Sequence, residues 1–146
     1  MKRAPFLALL AALGACATPR QDVAASPAAA NPNFILVVSE SVPNPGDDGL
    51  SFTKVFVDGK EVGRTGVGRK SEDRTLQLKL PAGNEPVRLE HWILTGVGAW
   101  ARLDDALQPR ERFVRIGDGA IVRLDVRFSG GGATNSLTLS REPAEK

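Results

Sequence analysis

Few residues in this chain have types and spacings suited to chemistry. Cys16 is the only cysteine and His91 the only histidine, so a zinc site, which takes three or four such ligands, is excluded in practice. A hydrolytic triad needs a single imidazole, and serines and aspartates abound, but no nucleophile elbow accompanies them. Residues 63–71, GRTGVGRKS, nearly spell a phosphate-binding P-loop, with Arg69 intruding between Gly68 and Lys70. That motif works only with a following helix whose amino terminus faces the phosphates, and strand-like TLQLKL follows here. Asp47-Asp48 lacks the alternate-position oxygen ligands and closing glutamate of a calcium loop. Trp92 and Trp100, the only tryptophans, flank Gly96-Val97-Gly98. Flat rings beside a loop suit stacking on a sugar or anchoring a protein partner, though packing of that loop over the body of the domain is the plainer reading.

Cys16 differs from the rest because of what precedes it. Lys2-Arg3, an apolar run through Leu13 broken only by Pro5, and then small residues form the three parts of a signal peptide. The run is about half the ~20 residues a membrane-spanning helix needs. Leu13-Gly14-Ala15-Cys16 resembles the lipobox of bacterial lipoproteins: one aliphatic residue, two small ones, then the thiol. The resemblance implies cleavage before Cys16, diacylglycerol on its sulfur and a third acyl chain on the new amino group. Each buried CH₂ contributes about 0.8 kcal/mol, and two chains already anchor stably. Ala17 fits an outer-membrane destination facing the periplasm, since many inner-membrane lipoproteins carry Asp there.

Of 19 basic and 17 acidic residues, Lys2 and Arg3 leave with the signal, so the mature chain is formally neutral. It has no electrostatic case for nucleic acid, which calls for a clustered basic face. With Cys16 acylated no thiol is left for a disulfide, and the fold must rest on packing. No cofactor is called for.

The chain divides into a signal at 1–15, a lipidated cysteine and Ala/Pro-rich tether at 16–33, one domain at 34–141, and a tail at 142–146. The tether holds too little apolar surface to offset its ordering entropy. FILVV at 34–38 is a short apolar run suited to a strand covered on both faces. SVPNPGDDG is a loop. TKVFVDGKEVGR predicts a hairpin turning at Asp58-Gly59, where both central residues take positive φ. Leu76, Leu78 and Leu80 alternate with polar residues, and Val87, Leu89 and Ile93 share a parity that also places His91 inward. Residues 96–109 read as loop. A second hairpin is expected from 112–116 through Gly117-Asp118-Gly119 into 120–128, with Leu137 and Leu139 marking the last strand. About seven strands and no helix-length pattern predict a single antiparallel β-sandwich.

VFVDGK at 55–60 with Val62-Gly63, then LPAG at 80–83 and Val87-Arg88-Leu89, is similar to the PEGA-type surface domains and related transthyretin-like sandwiches. Gly117-Asp118-Gly119 followed by VRLDV resembles their closing strand. The resemblance spans about half the chain and implies a binding or structural module of the cell envelope, with no catalytic residues to carry over. The expectation is therefore a membrane-anchored envelope lipoprotein presenting a non-catalytic module to another envelope protein. Trp92 and Trp100 are its candidate surface, with Arg110 and Arg112 as a charged rim. The alternatives are a cell-wall glycan ligand on the two tryptophans and, more remotely, a hydrolase using His91.

Overall fold

The computed structural model describes residues 23–143. Ten strands follow in order: β1 (Phe34–Glu40), β2 (Leu50–Val57), β3 (Lys60–Arg64), β4 (Gly68–Arg69), β5 (Arg74–Leu78), β6 (Gly83–Leu94), β7 (Trp100–Arg102), β8 (Arg112–Ile116), β9 (Ala120–Ser129) and β10 (Thr134–Pro143). They make an all-β sandwich of two sheets. Sheet A has the order β10-β9-β1-β5, and sheet B runs β3-β2-β6-β7 with β4 on β2 and β8 on β6. Two of the ten strands, β4 and β7, have three residues or fewer, which is why alternation alone suggests fewer.

The β2–β3 hairpin turns where Asp-Gly predicts, with φ of 49° at Asp58 and 74° at Gly59. In β9, Val122, Leu124, Val126 and Phe128 point inward and pack with Phe34, Leu36 and Val38 of β1 against Val55, Val87, Leu89 and Val114 of sheet B. Each such side chain taken from water contributes about 1.5–3 kcal/mol. β1 is not apolar on two equivalent faces: Ile35 and Val37 lie half-buried on the outer side while every second residue is fully enclosed.

Three expectations are corrected. Residues 112–128 are not a hairpin, because β8 pairs with β6 in sheet B while β9 lies in sheet A. Gly117-Asp118-Gly119 carries the chain from one sheet to the other. Sheet A is not wholly antiparallel, since β9 runs parallel to β1 with Phe34 opposite Val122 and Glu40 opposite Phe128. The Ala/Pro composition predicts a free tether through residue 33, yet the chain docks from Ser26 onward. Ser26 N donates to Arg64 O at 3.0 Å and its hydroxyl accepts from Arg64 N at 2.9 Å. Ala29 N bonds Gln77 O at 3.1 Å, and the Asn33 side chain meets both Leu80 N and Leu80 O at 2.8 Å. This strap spans the β3 edge of one sheet and the β5 edge of the other, using backbone and polar contacts that need no apolar surface.

Residues 96–109 also hold more than loop: β7 and a single 3-10 turn at Asp105–Leu107. The final strand runs two residues past 141, to Pro143.

Candidate functional site

Two groups of residues stand out, one inside the sandwich and one on its surface. The inner group is a polar layer at the end where β1 finishes. β1 contributes Glu40, β5 Arg74, β2 Ser51 and Thr53, and β6 His91, all buried. Strand parity puts them there: Glu40 follows Phe34, Leu36 and Val38 inward, Arg74 stands opposite Val38, and His91 stands opposite Thr53. His91 is 0% exposed, as its parity predicts, and its ring stacks on Phe128 with centroids 4.2 Å apart.

His91 Nδ1 lies 2.9 Å from Thr53 Oγ1, and His91 Nε2 lies 3.8 Å from Glu40 Oε2. The tautomer protonated at Nε2 suits both ends: Nδ1 accepts the threonine proton and Nε2–H faces the carboxylate, too far for a direct hydrogen bond. Burial pushes the imidazole pKa below its usual value; Arg74 adds to this and Glu40 opposes it. Arg74 is held below its usual value by burial too. Its Nη1 donates to Arg69 O at 2.6 Å, pinning the Gly-rich connection over the layer. The main chain of His91 falls where β7 and β8 leave a gap along β6. There the Gln108 amide stands in, accepting from His91 N at 2.8 Å and donating to His91 O at 3.2 Å.

Hydroxyl, imidazole and carboxylate in line have the order of a hydrolytic triad. Thr53, however, is 0% exposed, and neither main cleft, of about 700 and 550 Å³, is lined by Thr53 or His91. The arrangement ties three strands together, with the Thr53 hydroxyl and the imidazole enclosed and Glu40 at the wall of the smaller cleft. Among the described residues no group of three His, Cys, Asp or Glu side chains converges as a metal site. Asp48 is occupied locally, its carboxylate accepting from Ser71 N at 2.9 Å and from the Ser71 hydroxyl at 2.7 Å. Ser71 holds that carboxyl below its usual pKa. The Gly63–Ser71 segment forms short strand and turn, with no helix to receive a phosphate.

The surface group is on the outer face of sheet B, where the structure brings Trp92 and Trp100 together around Phe52. Phe52 stacks on Trp92 at 6.0 Å with planes 11° apart and meets Trp100 edge-on at 4.9 Å and 80°. The two indoles are thus steeply inclined to one another. Lys54 Nζ sits 4.9 Å from the centre of the Trp92 ring, and the Arg88 guanidinium lies 4.2 Å from that of Phe56. Arg88 Nη1 pairs with Glu90 at 2.6 Å, and Arg102, opposite Trp92 in the ladder, reaches Asp105 at 2.6 Å.

Arg110 and Arg112 do not join the tryptophans. Both are exposed, and Arg112 pairs with Val87, about 17 Å along β6 from Trp92 at ~3.3 Å per residue. Lys54, Arg88 and Arg102 take the place expected of them. Their alternation with Phe52, Phe56 and Trp92 was the available signal, but it needs the β2–β6 register to be read. Cys16 lies outside the described residues, as do residues 1–15 and 144–146. Comparison with family models, with curated proteins and with solved structures gives no match to this chain.

Proposed function

We propose that this chain is a lipid-anchored envelope protein whose sandwich is a non-catalytic docking module for another envelope protein, bound through the outer face of sheet B. The observation that carries the docking reading is the Phe52–Trp92–Trp100 cluster bordered by Lys54, Arg88 and Arg102. Tryptophan and arginine on one surface are the residue types that concentrate binding energy between proteins. The geometry supports a protein over a glycan, because a sugar platform wants exposed, roughly coplanar rings. Here one indole is tilted against Phe52 and the other lies beneath an ammonium.

The anchor reading rests on Leu13-Gly14-Ala15-Cys16. Residues between Cys16 and the first docked position, Ser26, reach at most about 35 Å, so the strap side of the sandwich would be held toward the membrane. The test is cross-linking in native membranes followed by mass spectrometry of attached chains. The expected result is one recurrent envelope protein, attached near β6 and β7. It should be lost in Trp100→Ala/Arg102→Glu and retained in Thr75→Glu on the other sheet. Equal recovery from both variants, or recovery of cell-wall fragments alone, overturns the docking reading. A Cys16→Ala chain that still partitions with membranes overturns the anchor.

A further inference from the structure

β10 is the outer strand of sheet A, and among the described residues no strand pairs with its far side. An open edge is normally blunted by charge, proline, a bulge or shortness. β10 is ten residues long, its register with β9 is unbroken, and from Thr134 to Ser140 it carries no charge and no proline. Its middle, Ser136-Leu137-Thr138-Leu139-Ser140, reads the same in both directions. Leu137 and Leu139 stand opposite Val126 and Leu124, on the inward side, yet Leu139 is 41% exposed because it lies at the rim of the core.

We propose that β10 pairs with β10 of a second copy, antiparallel and centred on Thr138, joining the two A sheets into one. A palindromic strand is self-complementary under a two-fold axis, the symmetry of most homodimers. In this register Thr138 faces Thr138, Leu137 faces Leu139 and Ser136 faces Ser140 of the other copy. Arg141 then faces Asn135 and Glu142 faces Thr134, so no like charges meet. The offset keeps each leucine on its own side of the sheet, where directly opposite side chains contact at about 5 Å. The exposed Leu139 is thereby covered by Leu137 of its mate. The strap lies at β5, the opposite edge of the same sheet, and does not obstruct the pairing.

The register makes the test specific. In the full chain carrying Cys16→Ser, so that any added thiol is the only one, Thr138→Cys places two sulfurs face to face. It should give a disulfide dimer under mild oxidation. Ser136→Cys should not, because its own copies lie about 13 Å apart at ~3.3 Å per residue. A mixture of Ser136→Cys and Ser140→Cys chains should cross-link. Sedimentation velocity of the Cys16→Ser chain should show dimer. Thr138→Lys, which sets two ammonium groups against each other at an exposed site, should weaken dimerisation at least about tenfold while the circular dichroism of the fold is unchanged. A monomer at every concentration, or cross-linking at Ser136 alone as efficient as at Thr138, overturns the proposal.

Discussion

Replacing Thr53 by valine removes one hydroxyl from the polar layer and almost nothing else. Valine keeps the β-branched shape and the strand backbone, including the bond from residue 53 N to the Thr65 hydroxyl at 3.0 Å. What disappears is the partner of His91 Nδ1, in a ring that is 0% exposed. Leaving a buried polar atom unpaired costs about 1–3 kcal/mol, a sizeable part of the ~5–15 kcal/mol that holds a domain together. In urea, where m for small domains is about 1–3 kcal/mol/M, the midpoint should fall by roughly 1 M with m unchanged. Trp92 and Trp100, on β6 and β7, supply the fluorescence signal. The exposed Thr75→Val should stay within about 0.5 kcal/mol of wild type. A second substitution sharpens the test: Thr53→Val/His91→Leu removes both partners and should be less unstable than the sum of its singles. A midpoint for Thr53→Val equal to that of wild type, or strict additivity in the pair, would refute the view that this hydrogen bond stabilises the layer.

Stability should also depend on His91 through pH. Its folded pKa is depressed, so the unfolded chain takes up a proton that the native state refuses. The full contribution is therefore present above pH ~6.5 and shrinks as pH falls, by up to about 1.4 kcal/mol per unit, until the folded group itself protonates. Urea midpoints measured from pH 7.5 downward should be steeper for wild type than for His91→Leu. Gly63→Ala should cost about 1–3 kcal/mol, because a Cβ there would lie 2.8 Å from Leu78 Cδ2 and 3.4 Å from the Ser26 hydroxyl; thermal melts report it. Ser26→Ala deletes the acceptor of Arg64 N and should raise hydrogen exchange at Arg64 and Ala29 while leaving the β9 amides protected.

Local chemistry was legible in the sequence and non-local pairing was not. Asp58-Gly59 prescribes its own turn, and the alternation of β9 prescribes which residues are inward, because both signals lie within a few positions. Gly117-Asp118-Gly119 uses the same turn residues whether the next strand folds back on its neighbour or crosses to the other sheet. Only packing decides between these, and packing put β8 beside β6. The strap escaped notice because it is held by main-chain groups and by Ser26 and Asn33, not by apolar burial. Of the candidate surface, the tryptophans could be found as singular residues. Arg88 and Arg102 could not be chosen over Arg110 and Arg112 without knowing that the ladders set Arg88 opposite Phe56 and Arg102 opposite Trp92. Glu40 was hidden by the assumption that both faces of β1 are equivalent, although it sits at the inward parity.

The parallel union of β1 with β9 governs the order in which the molecule can come together. β1 is an inner strand of sheet A, yet its two neighbours, β5 and β9, arrive much later in the chain, with Phe34 waiting for Leu78 on one side and Val122 on the other. Closing such long loops must precede any reward from the contacts they bring, which slows folding. Sheet A cannot assemble piecemeal from the amino terminus, and a chain truncated before β9 keeps β1 with one side bare. The domain is consequently made to fold late and as a unit, once β5 and β9 are both present to flank β1.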